Sequence, residues 1–261
     1  MISYPTLIAI ALAGLVAVFL LVRSMHRLQL RAQFMVLLGL GVAISFILLV
    51  MVQAPHFPEW FGVSLMVVET EDATGFRRGR KLKKLGLDSA DTSELFFEDV
   101  KLPAESLLGS DEGQGFVQLM SDLPRERLIV AVHAQAMLER ALAVTIEYVK
   151  QREAFGKKLI EFQNTQFGLA ECKAEATIAR VFHDHCIERY LAGTLDTVTA
   201  SMAKYWLTDL QGKIIDRCLQ FFGGYGYMEE FPISRMYRDA RVTRIYAGTN
   251  EIMKLLIARS L

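Results

Sequence analysis

Two stretches without a charged side chain, residues 1–22 and 34–52, most constrain what this chain of 261 residues can fold into. At about 1.5 Å of helical rise per residue, each is long enough to cross a hydrocarbon layer of about 30 Å. They concentrate an apolar content of 52% and a mean hydropathy of +0.27. Two transmembrane helices within residues 1–54 are therefore expected. A cleaved secretory signal fits the first run less well, because it lacks a basic leader and exceeds the usual apolar length. Between the runs, Arg23, Arg27 and Arg31 form a short basic loop that the positive-inside bias assigns to the cytoplasm. A later cluster, Arg77, Arg78, Arg80, Lys81, Lys83 and Lys84, argues for the opposite orientation, so the face occupied by the C-terminal part stays open.

Beyond Pro55 the pattern changes. Residues 64–70 read as a buried strand and residues 94–100 as a second, closed by Pro103, with a basic, turn-containing stretch over 75–87 between them. That stretch is a solvated face or a surface facing an anionic ligand. Without a recognition helix or interleaved aromatics, and at a formal net charge of zero, no nucleic-acid partner is expected. After Gly113 the chain reads mainly as helix. Residues 123–127, Leu-Pro-Arg-Glu-Arg, head a block reaching Arg152, with Leu128, Val130, Val132, Met137, Leu138, Leu142 and Val149 largely at helical spacing. Further helices are expected over 163–191 and 195–222. A glycine-aromatic turn follows at 223–227, and a last helical region opens at Pro232 and is interrupted at Ala247 and Gly248. Connections this short make the helices antiparallel neighbours.

Most chemical constellations fail. Cys172, Cys186 and Cys218 stand singly, which suits core thiols in a reducing compartment rather than a disulfide or zinc set. His183-Asp-His-Cys186 invites a metal reading, but His183 and His185 at i and i+2 do not face one another on a helix, so no metal is expected. Gly223, Gly224 and Gly226 neither match Gly-x-Gly-x-x-Gly nor follow a strand. Glu126, flanked by Arg125 and Arg127, is either an ion-paired helix residue or a general base. Phe116 and Val117, just before it, line a channel or belong to the core.

Five ordered motifs carry a resemblance. They are Tyr148-Val-Lys-Gln-Arg-Glu-Ala-Phe-Gly156, Phe162-Gln-Asn-Thr-Gln166, Gln220-Phe-Phe-Gly-Gly-Tyr-Gly-Tyr227, Tyr237-Arg-Asp-Ala-Arg241 and Ile245-Tyr-Ala-Gly-Thr-Asn-Glu-Ile252. Together they resemble the C-terminal half of an acyl-CoA dehydrogenase, and residues 63–109 are similar to the second half of that family's middle β-domain. The implied fold is mainly α: two N-terminal transmembrane helices over 1–54, a partial β-domain over 62–110, and an antiparallel helix bundle over 112–261.

The resemblance implies an FAD-dependent α,β-dehydrogenation of acyl-CoA thioesters in fatty-acid β-oxidation, with electron-transfer flavoprotein as acceptor and a homotetramer as assembly. Many members carry the base just before Gly-Thr, where this chain has Ala247. Members similar to the long-chain and isovaleryl enzymes place it in a Glu-Arg-Leu context, here Glu126-Arg127-Leu128, which makes Glu126 the implied base. Burial of that carboxylate against an apolar acyl chain would raise its basicity. By position, Arg152 and Phe155 match the contact to the diphosphate of an FAD held mainly by another subunit, and Gln163 matches a further contact. Gln220, Gly223 and Gly224 match the adenosine-side turn, and Thr249 and Glu251 the segment closing on the flavin. Phe116, Val117, Arg127 and Gly248 fall on the substrate side. The family's first helical domain and its Thr/Ser-rich flavin strand have no counterpart, and the sheet is expected to carry unpaired edges near residues 60–62. The location implied is a lipid bilayer, the bacterial inner membrane. The alternatives are a non-catalytic membrane-anchored subunit assembling with intact dehydrogenases, or a fusion remnant.

Overall fold

A computed structural model of the protein describes residues 36–37, 47–53 and 62–261. These fall into two compact units, one containing residues up to Lys84 together with Asp88–Leu123, the other Leu85–Leu87 with Pro124–Leu261.

The first unit is built on strands β1 (Val36–Leu37), β2 (Ile47–Gln53), β3 (Val63–Glu69), β4 (Phe76–Lys81) and β5 (Ser93–Phe97). The order β1-β2-β3 forms one antiparallel sheet, and β4 and β5 pair as a separate ribbon. Strand β3 runs from Val63 opposite Gln53 to Glu69 opposite Ile47, so β2 covers an edge that the sequence had left open near residues 60–62. The first expected membrane span lies outside the described residues. The described parts of the second run are strand rather than helix. A short run of Ile, Leu, Val and Met carries no periodicity that separates a buried strand from a buried helix, and pairing with β3 satisfies its backbone here. Strand β4 supplies six residues of the basic stretch over 75–87, with Arg77, Arg78, Arg80 and Lys81 exposed. Its charges are accommodated sideways: Arg77 lies 3.9 Å over the Phe96 ring, Arg80 pairs with Glu94 at 3.6 Å, and Lys81 pairs with Asp91. Gly75, at φ +88, marks the turn into β4; a Cβ there would stand 2.0 Å from the Glu98 carbonyl oxygen, so only glycine fits.

The second unit is helical. Helix α1 (Gly115–Gln151) begins well before the expected start at Leu123 and carries Pro124 inside it. Its first residue explains the early start. A Cβ at Gly115 would lie 2.8 Å from the Val63 carbonyl oxygen and 2.9 Å from the Leu65 nitrogen, so this turn is seated on β3 in the first unit. Pro124 has no N–H for the carbonyl four residues back, and the division between the units falls there.

Helices α2 (Gln163–Leu191), α3 (Thr197–Phe222), α4 (Pro232–Ala240) and α5 (Asn250–Ala258) follow. The two-residue strands β6 (Glu153–Ala154) and β7 (Lys157–Lys158) form the turn between α1 and α2. Helix α3 packs against α2, α4 and α5. Leu128, Leu138 and Leu142 of α1 meet Leu169, Cys172 and Ala179 of α2 and Leu207, Ile214 and Cys218 of α3 in one continuous core. Alanines at 131, 134, 141, 176 and 203 line the same core and let the helices approach closely. All three cysteines are free and buried. Among the described residues α1 alone is long and apolar enough to cross a membrane, and its apolar stripe is spent on this core.

Candidate active site

Chemistry-bearing residues of the helical unit collect at two places. The first begins with Glu126, which is 5% exposed, and Arg127, also 5% exposed. Arg127 donates from Nη1 to Ser201 Oγ on α3 at 3.3 Å, and Ser201 in turn donates to the Thr197 carbonyl at 2.6 Å. Burial holds the Arg127 guanidinium below its usual value, and the adjacent Glu126 carboxylate acts the other way. One turn along α3 from Ser201 is Lys204, which is fully buried. Its Nζ donates to the Gly248 carbonyl at 2.7 Å and to Asn250 Oδ1 at 2.8 Å. Thr249 caps α5, its Oγ1 accepting from the Ile252 N–H at 3.4 Å, and Glu251 is exposed in the first helical turn. The Glu251 carboxylate is held below its usual range by its own backbone N–H and by the Thr249 hydroxyl. Arg127, Lys204, Gly248, Thr249 and Glu251 are thus one connected neighbourhood, which Glu126 adjoins through Arg127.

Sequence reasoning missed Lys204 and Asn250. The available signal was position: Lys204 falls in the buried stripe of α3 with Ala200, Leu207, Gln211 and Ile214, where a lysine has to find partners. Burial pushes the Lys204 ammonium down to about 8 from an ordinary 10.5; Asp209 and Glu251 oppose that shift and Arg127 adds to it. The lysine therefore releases its proton at lower pH in the folded chain than in the unfolded one. Between about 8 and 10.5 the unfolded state binds more protons, so folding stability contributed by this group rises with pH across that window. Denaturant titrations of wild type and Lys204→Met are expected to diverge in slope there, the variant lacking the rise.

The second place is the far end of α1. Arg152, Gln163, Gln220, Gly223 and Gly224 are all exposed, and Phe155 is 95% exposed. The Arg152 guanidinium lies 5.2 Å from the centroid of the Tyr225 ring, tying the end of α1 to the 3-10 turn Gly223–Tyr227. Tyr148 stacks on Phe222 at 4.1 Å and fixes the base of that turn. Added Cβ atoms at Gly223 and Gly224 would meet nothing within 4 Å, whereas one at Gly226 would sit 2.6 Å from the Leu219 carbonyl oxygen. The first two glycines border open space and the third is a packing requirement.

Glu126 and Arg152 stand near opposite ends of one helix, separated by roughly 40 Å of axis at 1.5 Å per residue. A single chain therefore does not bring every expected site residue together. Phe116 and Val117 belong to the first unit and are exposed at 36% and 61%, so neither is a core residue of that unit. His183 Nδ1 lies 2.8 Å from the Asp184 carboxylate, which accepts, and among the described residues no group of three His, Cys, Asp or Glu side chains gathers as a metal site would require.

Residues 113–261 match the family model described as acyl-CoA dehydrogenase, C-terminal domain. The chain is 50% identical over 200 residues to the mitochondrial long-chain specific acyl-CoA dehydrogenase of Sus scrofa, covering 77% of this chain and 46% of that protein. The crystal structure of an acyl-CoA dehydrogenase from Geobacillus kaustophilus superposes with a TM-score of 0.77 at 44% identity, over 87% of this chain and 61% of that one. An acyl-CoA dehydrogenase of Bacillus anthracis complexed with FAD gives a TM-score of 0.77 at 26% identity, over 87% and 42% of the two chains. The chain spans about half the length of the curated relatives it matches.

Proposed function

Because the chain belongs to the acyl-CoA dehydrogenase family, we propose that it carries the base-bearing part of an enzyme that oxidises the Cα–Cβ bond of an acyl-CoA thioester. The observation that carries this reading is a buried carboxylate, Glu126, adjoining Arg127, whose guanidinium is bonded to Ser201 on α3, the helix whose Lys204 holds the Gly248 carbonyl. Glu126 takes the proton from the carbon alpha to the thioester carbonyl. Its burial keeps bulk water away from the carboxylate. Arg127 and Gly248 border the thioester.

FAD, when bound, supplies the acceptor for the beta hydrogen as hydride. The residues present fit such a cofactor in two respects. Arg152 presents an exposed guanidinium suited to paired donation to a diphosphate, and Gly223 and Gly224 leave free space at a turn where a ligand's adenosine end can approach backbone. Phe155, Gln163 and Gln220 extend that surface, while Thr249 and Glu251 would hold the flavin end. A separation of roughly 40 Å is further than one dinucleotide bridges, so the two ends of α1 serve different sites in an assembly. This supports a homo-oligomer built on the helical units, with electron-transfer flavoprotein as the electron acceptor. The charge-free run over 1–22 supports attachment to a lipid bilayer, the inner membrane of a bacterium.

Two glycine variants separate ligand contact from packing. Gly224→Ala is expected to melt as wild type but to retain FAD less well, as read by fluorescence on release. Gly226→Ala is expected to lose about 1–3 kcal/mol of stability, because its new methyl meets backbone. The activity itself is tested by incubating the protein, FAD, a long-chain acyl-CoA and a redox dye, and reading the thioester by mass spectrometry. Loss of two hydrogens is the expected result. An unaltered thioester from a flavin-loaded oligomer overturns the proposal.

A further inference from the structure

Ala247 and Gly248 are consecutive residues at positive φ, 54° and 89°, immediately before the cap of α5. For alanine this backbone region is disfavoured, so a turn of this shape holds only if something outside it fixes it. A Cβ at Gly248 would stand 2.7 Å from Met253 Cε, so the turn packs closely on α5. The carbonyl of Gly248, a half-buried residue, accepts from Lys204 Nζ, which supplies the donor that a shielded backbone carbonyl needs.

We propose that Lys204 is a positioning residue that locks the Ala247–Gly248–Thr249 turn in the shape the active site needs, through its simultaneous bonds to the Gly248 carbonyl and Asn250 Oδ1. The proposal rests on the dehydrogenase reading for what the turn faces, but not for whether the turn is held. A lysine suits the task because its ammonium presents several donors from one point and can converge on two acceptors. Burying a cation is unfavourable, and an apolar side chain of similar size would fill the slot without that penalty. The second acceptor is itself fixed: Asn250, 3% exposed, donates from Nδ2 to Asp209 Oδ1 at 2.9 Å and to Thr208 Oγ1 at 3.0 Å. Thr208 Oγ1 donates back to the Lys204 carbonyl at 2.8 Å, closing the network on α3. The charged groups facing Lys204 are Asp209 on α3, Glu251 on α5 and Arg127 on α1. Through them the turn is coupled to the Glu126–Arg127 pair, and Lys204 acts on the reaction only by placing Gly248, Thr249 and Glu251.

The test is amide hydrogen exchange of the full chain, read on peptides covering residues 246–252 and, as a control, on α2 and the remainder of α3. In Lys204→Met, exchange at 248–252 is expected to accelerate at least tenfold with the control peptides unchanged. Lys204→Gln, which keeps a donor on a shorter arm, is expected to fall between the two. Wild-type exchange in a folded Lys204→Met overturns the proposal, and so does acceleration spread evenly over the unit. Should Lys204→Met not fold, Lys204→Gln carries the same comparison, and loss of folding in both replaces the positioning role with a purely structural one. None of these readings needs turnover, so a locked turn in an inactive protein counts against the dehydrogenase reading and not against Lys204.

Discussion

Glu126→Gln is expected to lower dehydrogenation of an acyl-CoA by about 100- to 10,000-fold, the range lost when a positioned general base is removed. The substitution keeps the shape of a side chain that is 5% exposed, so the core around it is not opened. It does take away the carboxylate that opposes the burial shift on Arg127, but that guanidinium keeps its bond to Ser201. Circular dichroism should therefore match wild type, and FAD retention should be unchanged. Flavin content that falls with activity would reassign Glu126 to a structural role. Turnover within a few-fold of wild type would remove it from the chemistry altogether.

The largest expected loss of stability comes from Leu138→Ala. Leu138 is fully buried on α1 where the core of α1, α2 and α3 meets. Removing its branched end leaves a cavity that rigid helices cannot close, at a cost of about 2–5 kcal/mol and a fall in Tm on the order of 10 °C. Val132 is the matched control. It belongs to the same apolar pattern in the sequence but is 37% exposed, so Val132→Ala should shift stability by no more than about 0.5 kcal/mol. Equal losses at the two positions would show that α1 does not pack as described.

That contrast marks how far the sequence could be read. Helix spacing placed Leu128, Leu138, Leu142 and Val149 in the core, but period alone does not tell the centre of an apolar stripe from its margin, where Val132 lies. The ends of α2 and α3 were legible because the signals are local: Asp196 caps α3 by accepting from the Thr199 N–H at 2.8 Å, and Gly223 at φ 56 ends it. Strand β4 was hidden because its stabilising contacts, Arg77 over Phe96 and Arg80 with Glu94, come from a partner strand well away in sequence. The run over 47–53 was hidden for a different reason, since membrane and sheet select the same residues there.

The site divides in the same way. Motifs proposed to meet a ligand through backbone or a fixed side chain, such as Gly223-Gly224 and Arg152, are readable as spacing. Lys204 is not, because its function is to satisfy the Gly248 carbonyl, and that acceptor lies 44 residues away in the chain.

The central claim is that this chain belongs to a working acyl-CoA dehydrogenase site, and the visible spectrum of the FAD-loaded protein tests it most directly. Addition of a long-chain acyl-CoA under nitrogen should bleach the flavin absorption in wild type and leave it intact in Glu126→Gln. A wild-type spectrum that keeps its full flavin band after substrate is added would contradict the account.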